Sequence, residues 1–343
     1  MQSSSLDPAS VVRRVEPAGL AGGAPLTRLA GQLDVFTYVG PRMAAGEARL
    51  RELVGSDVDV VDAVARHLVD AGGKRLRPML TLLGAGCVGF AGDLPGLMCV
   101  GELIHLGSLL HDDVVDGADL RRNRPSAHRV YGNAATILTG DFCLARAVLL
   151  ASTAGGHAAV TGLAEAVTAM AEGEVLQLQH AGQLSTSLAE YLEMVDKKSA
   201  ALIAWCVSAG ALAVGNHDAA GALADFGRGV GVAFQITDDV LDYLPGTGKL
   251  VGADLRERKL TLPLVHAMTR IPGLRKRLEA GALAAADLPG LVAEVRASGA
   301  LDAALVEARA RVHGALASLE KLPDCADRHA LSALGRHLVE RAS

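Results

Sequence analysis

Aromatic side chains are scarce in this chain: 3% of its 343 residues, with a single Trp, four Tyr and five Phe. Ala, Leu, Val and Gly supply much of the rest, and half of all residues are hydrophobic. That composition disfavours a β-sandwich and suits a well-buried α-helical bundle. Cysteine is sparse too. Cys87, Cys99, Cys143, Cys206 and Cys325 are scattered and form no C-x-x-C, which excludes a zinc or disulfide framework and fits a reduced, cytoplasmic protein. Charge of one sign is also lacking, since a formal net charge of -5 argues against generic nucleic-acid binding. No apolar h-region follows Met1, so residues 1–30 are expected to be a mobile leader and 31–343 one catalytic domain. The longest uncharged stretch, Ser199 to His217, contains Ser, Gly and Asn and follows Lys197-Lys198. It reads as a buried core helix, and no transmembrane segment is expected.

Helical periodicity runs nearly throughout. Val58, Val61, Val64, Ala65 and Leu68 form an apolar stripe that stops at Gly72-Gly73, and Pro78 sits where a first helical turn tolerates it. Helices are expected over Leu97–Val115, Ala134–Ala151, Ala158–Gln179, Leu188–Val214, Ala222–Tyr243, and from Leu288 to about Leu319. No alternation is long enough for a sheet. The expected fold is all-α, a single-domain helical bundle.

Two acidic runs stand out inside apolar helices: Asp112-Asp113-Val114-Val115-Asp116 and Asp238-Asp239-Val240-Leu241-Asp242. Each reads D-D-x-x-D. Positions i and i+4 share a helix face, so each run presents carboxylates that repel one another unless a cation binds them. Oxygen-only ligands favour a hard divalent ion such as Mg²⁺, shared with substrate phosphates. The pair reads as two walls of a diphosphate clamp.

Cations gather elsewhere. Lys74, Arg75 and Arg77 follow Gly72-Gly73 at a helix start, where side chains and the helix dipole together attract anions. A solvated charge run is the plainer reading of that segment alone. Arg121 and Arg122 follow the first acidic run closely enough for salt bridges, or for gripping the far face of the same phosphates. Gln235 lies one turn before Asp238 and either orients a phosphate or is an ordinary buried amide. His105 and His111 flank an apolar segment. His111-Asp112 also permits an HD-type metal phosphohydrolase, but that reading leaves Asp113, Asp116 and the second run unexplained.

With G-G-K-R-L-R-P and F-Q-I-T-D-D-V-L-D-Y beside both aspartate runs, the chain resembles the trans-isoprenyl diphosphate synthases, from roughly Asp59 onward. The resemblance implies the isoprenoid-synthase bundle with a central cavity, a Mg²⁺-dependent prenyltransferase, and three Mg²⁺ ions held by Asp112, Asp113, Asp116, Asp238, Asp239 and Asp242. It implies that Lys74, Arg77, His105 and Arg122 hold isopentenyl diphosphate. Arg121, Lys198 and Lys259 would contact the allylic diphosphate, with Lys249 closing over it. Gln235 matches the glutamine before the second run, and Ser199 occupies the usual threonine position, where the family helix commonly kinks. A homodimer is implied as well.

Gly107 and Ser108 lie about one turn before Asp112, where short-chain members often carry aromatics. Small residues there imply a deeper tunnel and a long polyprenyl product of the octaprenyl or decaprenyl class. A geranylgeranyl or farnesyl diphosphate synthase is the alternative. The loop after Tyr243 is shorter than usual, and Arg258 replaces the glycine of D-L-x-x-G-K. A class I terpene cyclase would lack a second D-D-x-x-D, and a non-catalytic partner subunit would lack one run or the basic motif.

Overall fold

A computed structural model describes residues 34–122, 124–245, 251–256, 259–280 and 287–340. The expected leader, Lys249 and Arg258 lie outside the described residues. The helices are α1 (Val35–Leu53), α2 (Asp59–Val69), α3 (Leu76–Cys87), α4 (Leu94–Val115), α5 (Ala127–Tyr131), α6 (Asn133–Leu150), α7 (Gly156–His180) and α8 (Leu188–Val195). They continue with α9 (Ala201–Ala213), α10 (His217–Leu241), α11 (Ala253–Arg256), α12 (Leu262–Arg270), α13 (Leu274–Glu279), α14 (Leu288–Ala297), α15 (Ala300–Leu319) and α16 (Ala326–Glu340). Among the described residues the only strands are β1 (Leu120–Arg121) and β2 (Arg124–Pro125), a two-residue antiparallel ribbon.

Local chemistry sets these boundaries. The Asp93 carboxylate accepts from the Gly96 N–H, with Pro95 in the first turn of α4. Asn216 caps α10 through the Ala219 N–H, and Ser187 with Glu190 forms a capping box on α8. Two expected helices are broken. The Leu188–Val214 span is interrupted by a π-helical turn at Asp196–Ala200. The Leu288–Leu319 span is interrupted at Gly299, whose φ of +73° ends α14 before α15 starts. Helix α1 had no periodic signal strong enough to announce it. Pro41 interrupts its hydrogen-bond ladder, and its buried residues are only Val35, Val39, Gly46, Leu50 and Leu53.

Helix α9 is the centre of the molecule. Residues Ala201 through Ala211 are all buried, as expected of a helix that is apolar all round. It packs on α3, α7 and α10 with almost no side-chain spacer. A Cβ built on Gly210 would lie 2.5 Å from the Ala85 Cα, and one on Gly84 would strike the Val207 carbonyl. Side chains of any size would force these helices apart. Two hydrophobic clusters result, one around α1–α4, α9 and the first half of α10, the other around α8, the second half of α10 and α12–α15. Helix α10 belongs to both, and its C-terminal end carries the second aspartate run. Two helical stretches, Leu94–Val115 and Asn133–His180, are long and apolar enough to cross a membrane; 67% of the most apolar window of the first is buried in the core, against 39% for the second.

Candidate active site

Both aspartate runs terminate helices. Asp112 and Asp113 close the last turn of α4 and Asp116 is its C-cap, its N–H donating to the Asp112 carbonyl at 2.8 Å. Asp238 and Asp239 close α10 in the same way, and the Asp242 N–H donates to the Asp238 carbonyl at 3.2 Å. Neither helix has a basic residue in its last turn. Carboxylates therefore sit at the negative ends of two helix dipoles, each unfavourable by about 0.3–1 kcal/mol before mutual repulsion is counted. Burial, then the nearby Glu174 charge, pushes the Asp112 carboxyl up to about 6. Burial, then the Asp254 charge, pushes Asp239 up to about 7. Both carboxyls hold a proton more readily than a free aspartate, and a bound cation would oppose this.

At least three of the six carboxylates are bound into the protein. Asp113 is fully buried, and Arg121 donates to its Oδ1 through Nε at 2.8 Å and lies at 2.6 Å through Nη2. Asp239 accepts from the Tyr191 hydroxyl at 2.7 Å and from the Gln235 amide at 2.8 Å. The Gln235 carbonyl oxygen accepts in turn from the Ser199 hydroxyl at 2.8 Å. Asp242 accepts from the Asp254 N–H at 3.1 Å. Asp112 and Asp116 lie one turn apart on α4, and Asp238 stands at the corresponding place on α10. Among the described residues no three His, Cys, Asp or Glu side chains converge to hold a metal unaided. An all-oxygen, incomplete donor set fits Mg²⁺, which keeps several waters and completes its octahedron with phosphate oxygens.

The π-helical turn joins the two walls. Gly173 of α7 lies under it so closely that a Cβ there would come 2.8 Å from the Lys198 Cα, and a Cβ on Gly231 of α10 would come 2.7 Å from the Ala200 Cα. Pinched between these glycines, the turn sends Lys198 toward α7, where its Nζ meets Glu174 at 2.5 Å and Gln177 at 3.0 Å. The Lys198 charge reaches Asp112. Its neighbour Ser199 faces the other way, to Gln235 on α10. The expected kink at this position is thus a π turn.

A cation pocket forms around the start of α3. Gly72 has φ +78°, and two arginines adopt left-handed backbones, Arg75 at φ +50° and Arg122 at φ +52°. Arg75 is spent on structure: it binds Glu47 through Nε at 2.8 Å and Glu102 through Nη1 at 2.9 Å. Arg122 lies against Gly73, where a Cβ would meet its Nη2 at 3.2 Å. The Nε of Arg77 is enclosed with no hydrogen-bond partner. Burial lowers the Arg77 guanidinium from its ordinary value, opposed first by Glu102 and also by Asp238. Burial, then the charges of Arg77, Arg122, Arg121 and Arg75, hold His105 well below the usual imidazole range. At neutral pH it is an uncharged hydrogen-bonding group among cations.

Other expected residues are arranged differently. Gly107 is packed against α6, where a Cβ would come 2.9 Å from the Gly140 carbonyl, so its smallness serves a helix contact. Ser108 is half-buried and its hydroxyl donates to the His105 carbonyl at 3.0 Å. His111 turns to α6, 3.1 Å from the Ile137 carbonyl and 3.3 Å from Asp141, which removes it from an HD-type metal pair with Asp112. Lys74 is exposed, two residues before α3. Lys259 follows α11, its N–H donating to the Asp254 carbonyl at 2.9 Å. Sequence reasoning missed Glu102, Glu174, Tyr191 and Asp254. Glu102 carried a readable signal, being the sole formally charged residue between Asp93 and Asp112.

Residues 58–288 match the family model described as Polyprenyl synthetase. The octaprenyl diphosphate synthase of Haemophilus influenzae is 37% identical over 319 residues, covering 90% of this chain and 96% of that protein. A polyprenyl synthase crystal structure from Caulobacter crescentus, complexed with calcium and isoprenyl diphosphate, superposes with a TM-score of 0.84 at 39% identity, covering 92% of this chain and all of the other. A decaprenyl diphosphate synthase from Rhodobacter capsulatus gives a TM-score of 0.83 at 38% identity, over 90% of this chain and 98% of the other.

Proposed function

The chain belongs to the polyprenyl synthetase family, and from that premise we propose that it elongates an allylic diphosphate with isopentenyl diphosphate to give a long trans-polyprenyl diphosphate. The observation that carries this reading is the pairing of two unlike anion sites. Carboxylates at the ends of α4 and α10 suit a metal-bridged diphosphate, while Arg77, His105 and Arg122 suit a second diphosphate held without metal. A terpene cyclase needs only the first. A non-catalytic subunit needs neither, and here both are intact.

Mg²⁺, three ions in the filled site, would take up charge on the departing diphosphate. Lys198 leaves Glu174 to meet that diphosphate, and Arg121, anchored on Asp113, lies beside it. Lys259 contacts the same group, and by the family pattern Lys249 does too. The allylic C–O bond breaks with its electron pair on diphosphate oxygen. The isopentenyl double bond attacks the resulting cation, and the proton lost afterwards goes to the released diphosphate. Gln235, bonded to Ser199 and Asp239, holds the second wall and keeps one amide N–H for the substrate. Apolar helices around the site exclude the water that would quench the cation.

The long product is supported by the octaprenyl and decaprenyl relatives and by the absence of an aromatic at Ser108, which shares a helix face with Asp112. Relatives called geranylgeranyl pyrophosphate synthetase keep a shorter product as the alternative. A homodimer is supported by the apolar outer face of α6, where Leu138, Val148 and Leu149 are 63%, 48% and 60% exposed. Five free cysteines suit a reducing, cytoplasmic setting. Incubation with farnesyl diphosphate, labelled isopentenyl diphosphate and Mg²⁺ tests the activity, and chromatography of the products gives their length. Folded protein that forms no elongated product overturns the reading. Light scattering on the eluted protein tests the dimer.

A further inference from the structure

Glu102 is an anion buried beside an anion site. It lies mid-way along α4 with 3% of its surface exposed, one turn before His105, in a stretch with no other formal charge. Its Oε1 takes one hydrogen bond, from Arg75 Nη1 at 2.9 Å. Arg75 already has a second carboxylate in Glu47, and Arg121 has Asp113. Arg77 and Arg122 form no ion pair with any described residue. For both, Glu102 is the first charge that favours their cationic form. A Cβ on Gly73 would meet both Arg122 Nη2 at 3.2 Å and Arg75 Nη1 at 3.3 Å, and one on Gly101, the neighbour of Glu102, would lie 3.7 Å from the Arg77 Cβ. Among the described residues, the start of α3 thus gathers two guanidiniums without an ion pair, a third between two carboxylates, and one buried carboxylate.

We propose that Glu102 is the resident counter-ion of this pocket, a positioning residue that holds Arg75, Arg77 and Arg122 together until a diphosphate supplies the negative charge. Without it, like charges repel in a partly dehydrated site, where Coulomb energies exceed those in water. With it, the empty pocket is stable, and the incoming anion is bound less tightly than the cations alone would allow. Glu102 therefore trades affinity for a preformed site. The ligand named here, isopentenyl diphosphate, rests on the proposed function; the role of Glu102 toward the arginines does not.

Glu102→Gln separates charge from shape, because the amide oxygen can still accept from Arg75 while the negative charge is gone. Thermal unfolding and calorimetry on the full chain, with EDTA to keep the aspartate walls metal-free, read the effect. The variant should melt lower than wild type without ligand, bind isopentenyl diphosphate about three- to tenfold more tightly, and show a larger ligand-induced rise in midpoint. Binding and midpoints equal to wild type, or weaker binding, overturn the proposal. A second variant needs no ligand. Adding Arg77→Gln removes one repelling cation, so the double variant should recover the midpoint lost by Glu102→Gln, and should fold even where the single variant does not. No recovery overturns the counter-ion role. Wild type that binds no isopentenyl diphosphate overturns the substrate reading instead, while the double variant still reports on Glu102.

Discussion

Gly173 carries the backbone of Lys198: the two helices meet so closely that a Cβ on Gly173 would lie 2.8 Å from the Lys198 Cα. The π turn that aims Lys198 at Glu174 and Asp112 therefore depends on a hydrogen atom one helix away. Gly173→Ala should push the turn off α7, at a cost of about 1–3 kcal/mol in stability. Steady-state kinetics should show KM for the allylic diphosphate rising roughly tenfold or more, with KM for isopentenyl diphosphate changed much less. Equal effects on both substrates would place Lys198 outside the allylic site.

Asp112→Asn should cut turnover by orders of magnitude and yet stabilise the metal-free protein. The Asp112 carboxyl is raised to about 6 in the fold, against about 3.9 in an unfolded chain. The folded state then binds more protons between those values, so stability falls as pH rises from about 4 to about 6. Removing the charge removes that loss, on the order of 1–3 kcal/mol at pH 7. Urea unfolding of wild type and variant in EDTA across this range measures it. A variant less stable than wild type at pH 7 would contradict the assignment.

Tyr191→Phe removes the hydroxyl that donates to Asp239 and helps keep it ionised. The Asp239 value of about 7 should move further up. The acid limb of the pH profile for kcat/KM should then shift to higher pH, and more Mg²⁺ should be needed at pH 7. An unmoved acid limb would show that Asp239 does not govern it.

Ser108→Phe and Gly107→Phe should differ in kind. Ser108 shares a face with Asp112, so a phenyl ring there should shorten the product while the protein still folds. Gly107 is closed off by the Gly140 carbonyl of α6, so the same ring should disrupt the α4–α6 contact and lower the melting midpoint. Product chromatography alongside thermal unfolding separates the two outcomes.

The D-D-x-x-D runs, the basic G-G-K-R-L-R-P start and the helical periodicity were readable from the chain because each is a local pattern. Spacing along a helix fixes which side chains share a face, and charge repulsion needs no tertiary information. The same sequence treated the six aspartates alike and made Gly107 and Ser108 equivalent. Only the folded molecule separated them, since burial and hydrogen bonding depend on which helix lies opposite. Arg121, Tyr191 and Asp254 come from other elements to claim Asp113, Asp239 and Asp242, and Gly140 claims Gly107. The π turn was likewise invisible in a continuous apolar stretch, because it is pinned by Gly173 and Gly231 on two neighbouring helices. Residue types and their spacing determined which side chains could bind cations and anions; the approach of distant helices decided how each carboxylate is buried and hydrogen-bonded.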